Sequence, residues 1–553
     1  MSTATAPSAF AYTPPPPLEG SARLWGTIAL STATFMNVLD SSIANVSLSA
    51  IAGDLGVSPN QGTWVITSFA VANAISVPLT GWLSQRFGQV RLFTISILLF
   101  VLASWMCGLA PNMGTLIAFR ILQGFVAGPM IPLSQALLLS SYPKALAGTA
   151  MAMWAMTTLV APVVGPLLGG WITDNISWPW IFYINIPVGF LAAAATWNLY
   201  RKRETPTKKL PIDSIGLALL VVWVGALQIM LDKGKELDWF NSTEVQILAA
   251  VALVGFLFFV AWELTDKHPV TDLSLFARRN FWAGTLATSV GYGLFFGNVV
   301  LLPLWLQQYM GYTATQAGFV LAPVGLLAII LSPIVGKNIA KFDPRLFATM
   351  AFIVFGVVLW MRSNFNVQAD EATLMVPTIV QGIAMACFFI PLSILTLSGL
   401  TPDRIPAASG LTNFVRITAG AMGTSLVTTI WESRTALHHA QLTEYINVGR
   451  QTATGALNGL ASAGMEPQQA LETVNRLIGQ QAATLAANDV FFASSIMFLL
   501  LIPLVWITQR PTAMGKAAAE AAAGAHLRLK SKAHKLARLN FYVTARAFCF
   551  IHL

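Results

Sequence analysis

The stretch LWGTIALSTATFMNVLDSSIANV, Leu24–Val46, is apolar along most of its length and carries a single acid, Asp40. About 20 predominantly apolar residues in a helix cross a hydrocarbon core of roughly 30 Å. A carboxylate at the centre of such a helix costs about 2.5–3.5 kcal/mol on insertion scales. The segment therefore reads as a membrane helix that retains an expensive charge. Working outward, thirteen further apolar stretches follow, at about 62–84, 92–110, 114–139, 146–171, 180–199, 213–231, 244–263, 281–307, 314–335, 346–361, 374–398, 407–430 and 490–508. The expected fold class is an all-α membrane protein with fourteen transmembrane helices.

Composition agrees. The 553 residues are 55% hydrophobic and only 10% charged, against about 25% charged in ordinary soluble domains. That excludes a soluble enzyme with an added anchor. The net charge of +9 does not point to nucleic acid, because the basic residues cluster in short loops beside the spans, where they set topology. Their distribution places both termini on the cytoplasmic side. Residues 1–23 read as a Pro- and Ala-rich tail without a cleavable leader, so the first span is expected to serve as its own insertion signal. Cys107 and Cys387 lie in apolar spans and Cys549 in the tail; none has metal-ligand spacing, and no disulfide framework is expected.

The chain also repeats itself. Pro78-Leu79-Thr80-Gly81 recurs in kind as Pro333-Ile334-Val335-Gly336, and Gln123-Gly124 before Ile131-Pro132-Leu133-Ser134 recurs as Gln381-Gly382 before Ile390-Pro391-Leu392-Ser393. Ala161 and Gly165 recur as Ala419 and Gly423 at nearly the same offset. The offset covers an even number of spans, so the copies share one orientation, a parallel repeat. The expected organisation is an amino tail (1–23), a six-helix bundle (24–199), a hinge with two inserted helices (200–280), a second six-helix bundle (281–508) with an external loop at 431–489, and a basic tail (509–553).

These strings resemble the major facilitator superfamily, and within it the 14-span drug:proton antiporters of the EmrB type, over roughly residues 20–515. The marks are Leu39-Asp40-Ser41-Ser42-Ile43-Ala44-Asn45-Val46, Arg120-Ile121-Leu122-Gln123-Gly124, Ala161-Pro162-Val163-Val164-Gly165-Pro166-Leu167-Leu168-Gly169-Gly170 and Trp180-Ile181-Phe182-Tyr183-Ile184-Asn185-Ile186-Pro187. Leu231-Asp232-Lys233-Gly234-Lys235-Glu236-Leu237-Asp238-Trp239 points to the EmrB branch. The resemblance implies a multidrug efflux antiporter of the bacterial inner membrane. Its partners would be small-molecule drugs, protons, membrane lipid, a periplasmic adaptor and an outer-membrane channel. It implies no cofactor beyond the proton gradient, and no phosphate-binding Gly-x-x-x-x-Gly-Lys-Ser/Thr string contradicts this.

Candidate residues follow from both sources. Asp40 is read as the proton-coupling acid, against a purely structural hydrogen bond to Ser41 or Ser42. Arg120 is its counter-charge, since a guanidinium biases a carboxylate without itself titrating. Pro162, Gly165, Pro166, Gly169 and Gly170 match the antiporter motif, for which plain helix packing is the competing reading. Gly81, Arg86 and Gly88 match the family's gating loop, which departs from the pattern at Gln85, where the family has an acid. Trp64, Phe69, Asn73, Phe295, Phe296, Asn298, Phe388 and Phe389 are candidates for a pocket that stacks amphipathic compounds. Arg416 either meets an anionic substrate group or snorkels to the cytoplasmic face. Asp40, Arg120 and Arg416 are the charges expected well inside spans. His438-His439 are adjacent rather than a turn apart, so no metal site is expected. The alternatives are a proton-linked transporter of a specific metabolite or fatty acid and, further off, a membrane-embedded enzyme.

Overall fold

The computed structural model describes residues 15–510 apart from 144–145, 209–210, 235, 267–268, 340 and 445–450. The start of the expected amino tail, the basic tail beyond 510 and the side chains of Pro162 and Pro166 lie outside the described residues.

Long helices coincide with every expected span: α1 Gly20–Val46, α2 Trp64–Phe87, α3 Gln89–Gly108, α4 Met113–Ser141, α5 Ala147–Asn175, α6 Trp180–Arg203 and α7 Ser214–Lys233. They continue as α8 Thr243–Thr265, α9 Arg279–Gln308, α10 Ala314–Asn338, α11 Pro344–Arg362, α12 Glu371–Leu397, α13 Ile405–Glu444 and α14 Pro467–Ile507. Among the described residues, 11 of these are long and apolar enough to cross a membrane by length and composition; α1, α5 and α13 fall outside that set. The described residues contain no strand. The chain is an all-helical, multi-pass membrane protein.

Local sequence explains the boundaries. Asn112, Asp213, Thr313, Asp343 and Asp370 each accept a backbone N–H at the start of a helix, satisfying donors that the first turn leaves open. Apolar residues on α8 face outward, with Leu257 59% and Phe258 64% exposed, as expected of a helix bathed in lipid rather than water.

Packing depends on close approach. α1 packs on α5 and α6, and α9 packs on α13 and α12. A Cβ on Gly169 would stand 2.7 Å from Ile43, and one on Gly297 would stand 2.6 Å from Val427, so these seams require glycine. Between the two groups of helices, α5 meets α10 and α13 meets α2 and α4. A Cβ on Gly336 would lie 2.7 Å from the Gly148 carbonyl, and one on Gly81 would lie 2.6 Å from Ala407. The pair α7–α8 touches both groups: Thr67 of α2 donates to Asp232 (2.5 Å), and Ser425 of α13 donates to the Leu231 carbonyl (2.9 Å).

Two expectations need correction. The expected external loop at 431–489 is in large part the continuation of two spans, with 437–444 and 467–487 lying in long helices. The first is the end of the 40-residue α13 and the second is the start of α14. No proline falls between Pro406 and Pro467, so nothing breaks the first helix at its expected end. His438 meets Asp489 at 2.8 Å and His439 meets Asn475 at 3.0 Å, tying the two extensions together. The interior charges also number more than expected: Arg362 (0% exposed) and Glu263 (4%) are buried as well. Both close a helix, where composition alone reads as a flank.

Candidate functional site

Asp40 lies in the last two turns of α1, 1% exposed, and its carboxylate is fully engaged. Arg120 of α4 donates through Nη1 to Oδ2 at 2.6 Å; Gln123 and Asn185 donate to Oδ1 at 3.0 and 2.8 Å. The structural alternative, a bond to Ser41 or Ser42, does not occur: Ser41 donates to the Asn37 carbonyl, and Ser42 to those of Leu39 and Ala161. Arg120 is 0% exposed. Its Nε donates to the Val65 carbonyl (3.0 Å), Nη1 also reaches Gln123 Oε1 (2.7 Å), and the guanidinium lies 4.2 Å from the Phe69 ring centroid. Thus α1, α2, α4 and α6 each supply one part of a single enclosed ion pair. Such a pair is costly to desolvate, and removing one partner alone typically costs about 3–5 kcal/mol.

Gln123, Asn185 and Ser104 were not picked as site residues from the sequence. Ser104 accepts from Asn185 Nδ2 (3.0 Å) and donates to the Phe182 carbonyl (2.8 Å), fixing the amide that holds Asp40. The signal available was the polar residue inside each quoted motif, Gln123 after Arg120 and Asn185 before Pro187. The antiporter segment backs directly onto this site. Gly165 and Gly169 of α5 face Ser42 and Ile43, the turn that follows Asp40. Gly170 lies on the same helix, partly exposed.

A narrow cleft lies between the two groups of helices. Gln135 of α4 and Trp154 of α5 line one side; Thr288 of α9, Phe389, Ser393 and Thr396 of α12, and Ser409, Asn413 and Arg416 of α13 line the other. Ser409 donates to Gln135 across it. Arg416 is 7% exposed, donates to Asn413 Oδ1 at 2.6 Å and lies 4.8 Å from the Tyr292 ring and 5.6 Å from the Phe389 ring. It points into the cleft and does not snorkel; its Nε has no hydrogen-bond partner.

The other candidates lie elsewhere. Trp64 faces Lys233 of α7, whose Nζ sits 5.7 Å from its ring. Phe295 and Phe388 each pack on Phe355 within the α9–α12 core, and the Phe296 ring lies tilted against Tyr292 at 4.5 Å. Asn73 and Asn298 are buried and are not among the cleft's lining residues. At the gating loop, Gly88 has φ +88°, which a side chain resists, and a Cβ there would collide with Glu204. Glu204 accepts from the Val90 and Arg91 N–H groups (3.0 and 2.8 Å) at the start of α3. An acid just past the end of α6 therefore stands at the loop that has Gln85 where the family has an acid. Arg86 is partly buried beside it.

The sequence profile of the Major Facilitator Superfamily matches residues 30–424. The chain is 51% identical over 500 residues to the Multidrug export protein EmrB of Escherichia coli strain K12, covering 90% of this chain and 98% of that protein. It is 49% identical over 496 residues to the Fatty acid resistance protein FarB of Neisseria gonorrhoeae, with the same coverage of 90% and 98%. The human organic anion transporter MFSD10 shares the fold at TM-score 0.50 and 13% identity, over 88% of this chain and 98% of that one. A profile that spans most of the helical body, and half-identity over nearly the whole length of a named exporter, show that the chain belongs to the major facilitator superfamily, in its EmrB branch.

Proposed function

We propose that the chain is a proton-coupled exporter of hydrophobic and amphipathic compounds in a bacterial inner membrane. All fourteen helices span, in two parallel six-helix bundles (24–199 and 281–508) with the inserted pair between them and both termini cytoplasmic. The observation that carries the reading is the enclosed Asp40–Arg120 pair, held by Gln123 and Asn185 on α4 and α6. A proton delivered to Asp40 removes the charge that Arg120 and the two amides grip, so the packing of α1 on α4 and α6 differs between the loaded and empty states. Rocking of the bundles moves this acid between environments, and protons entering drive substrate out. Each charge moved across 100 mV supplies about 2.3 kcal/mol, and each pH unit about 1.4 kcal/mol, so no cofactor is required.

The cleft offers aromatic faces beside one buried guanidinium, which suits an amphiphile bearing an acidic group. The relative named as a fatty acid resistance protein, FarB, favours, as a second reading, a transporter restricted to fatty acids; broad competition among chemically unlike compounds separates the two. The extended ends of α13 and α14, within 431–489, are the surface we assign to a periplasmic adaptor, itself joined to an outer-membrane channel.

The experiment is substrate-induced proton release from energised inside-out vesicles, with wild type and Asp40→Asn at matched expression. Collapse of the pH gradient by wild type alone supports coupling through Asp40. Equal responses make Asp40 structural. Export without any proton response rejects antiport.

A further inference from the structure

Arg362, the last residue of α11, is a buried cation whose charge no acid balances among the described residues. It is 0% exposed, and Nη2 donates to two neutral acceptors, Gln381 Oε1 at 2.7 Å and Thr378 Oγ1 at 3.2 Å. Nε and Nη1 have no hydrogen-bond partner, and no acid pairs with the guanidinium among the described residues. A guanidinium cannot escape by losing its proton, and desolvating it without a counter-charge is among the costliest arrangements a fold can hold. Arg120, equally buried, has Asp40 at 2.6 Å.

A second orphan lies on α9. Phe295 of α9 lies 5.9 Å from Phe355 of α11, and Trp305 of α9 lies 5.9 Å from Phe365, just past the end of α11. Asn298 is 1% exposed; Nδ2 donates to the Leu294 carbonyl and Oδ1 has no partner. The spacing that carries Ala161 and Gly165 onto Ala419 and Gly423 also carries Asp40 onto Asn298, Ser104 onto Arg362, Arg120 onto Thr378 and Gln123 onto Gln381. The second set keeps the polar positions, exchanges the acid for an amide and moves the cation to α11. A buried cation remains while the built-in carboxylate is gone.

We infer that helices α11 and α12 bind a small monovalent anion at Arg362, with Gln381 and Thr378 fixing the guanidinium. The ligand chemistry is that of a halide or a small free carboxylate. Binding neutralises a charge that no acid pairs with among the described residues, so the packing of these two helices depends on it.

The test is thermal unfolding of the purified full chain in uncharged detergent, at fixed ionic strength, in chloride, acetate or gluconate. Wild type is expected to show a saturable rise in Tm with chloride or acetate over gluconate, and the more effective of the two names the source. Arg362→Gln loses the response. Gln381→Glu places a carboxylate against Nη2, so it loses the response and unfolds in gluconate near the wild-type Tm in the preferred anion. An indifferent wild type overturns the inference, as does a response that never saturates or one that Arg362→Gln retains. Should Arg362→Gln not fold, Gln381→Glu decides alone, and a full anion response in that variant overturns it.

Discussion

At the scale of single residues, the interior is organised by what each charge can reach. Asp40 has three donors from two helices, and each hydrogen bond to a buried charge matters more for its loss than for its presence. Asn185→Leu should therefore lower stability by about 1–3 kcal/mol. In a cycle with Asp40→Asn, measured by thermal unfolding, the two effects should fall short of additivity by at least about 0.5 kcal/mol. Arg416 makes a different prediction, because it faces the cleft with an unused Nε. Arg416→Gln should reduce export of acidic amphiphiles about tenfold or more, the equivalent of one charge-assisted contact of about 1.4 kcal/mol or greater. Export of neutral compounds by the same variant should stay within about twofold. Equal loss for both classes, in whole-cell efflux, would make Arg416 a packing residue.

At the scale of elements, glycine decides how near two helices come. Gly165 and Gly169 let α5 lie against the turn of α1 that follows Asp40. Gly165→Leu should cost at least about 1–3 kcal/mol through overpacking, whereas Gly459→Leu, at a position with nothing within 4 Å, should leave the melting curve unchanged. Matching curves for the two variants would remove the packing argument. The extended ends of α13 and α14 are held by His438–Asp489 and His439–Asn475 contacts near the surface. Exposed pairs of this kind contribute about 0–1 kcal/mol, so His438→Ala should shift unfolding by no more than that.

At the scale of the whole molecule, the two groups of helices are pressed together where Gly148 meets Gly336 and Gly81 meets Ala407. Alternating access requires that this contact part. A Gly148→Cys/Gly336→Cys double variant should lose transport on mild oxidation and recover it on reduction, read as substrate uptake into inside-out vesicles. Unchanged transport despite a demonstrated cross-link would mean that this seam does not open in the cycle. The native Cys107 and Cys387 are buried and free, and Cys549 is replaced by Ser in that variant, so no native thiol confuses the measurement.

The sequence by itself determined the membrane class, the positions of the long helices and the acid at Asp40. These are local properties: apolar runs, capping residues and a charge where none is cheap. The repeat spacing and the Asp40–Arg120 pairing were also legible, because a buried acid in α1 and a buried base in α4 need one another. Only the tertiary structure brought Gln123 and Asn185 to Asp40, set Glu204 at the loop that lacks its own acid, and turned Arg416 into the cleft. It alone showed that Phe295 and Phe388 face their own core while Phe389 faces the cleft, a difference of one residue and so of about 100° around a helix. Helical periodicity says that a side chain is buried. Which neighbour it is buried against depends on how helices distant in sequence come together, and no single segment encodes that.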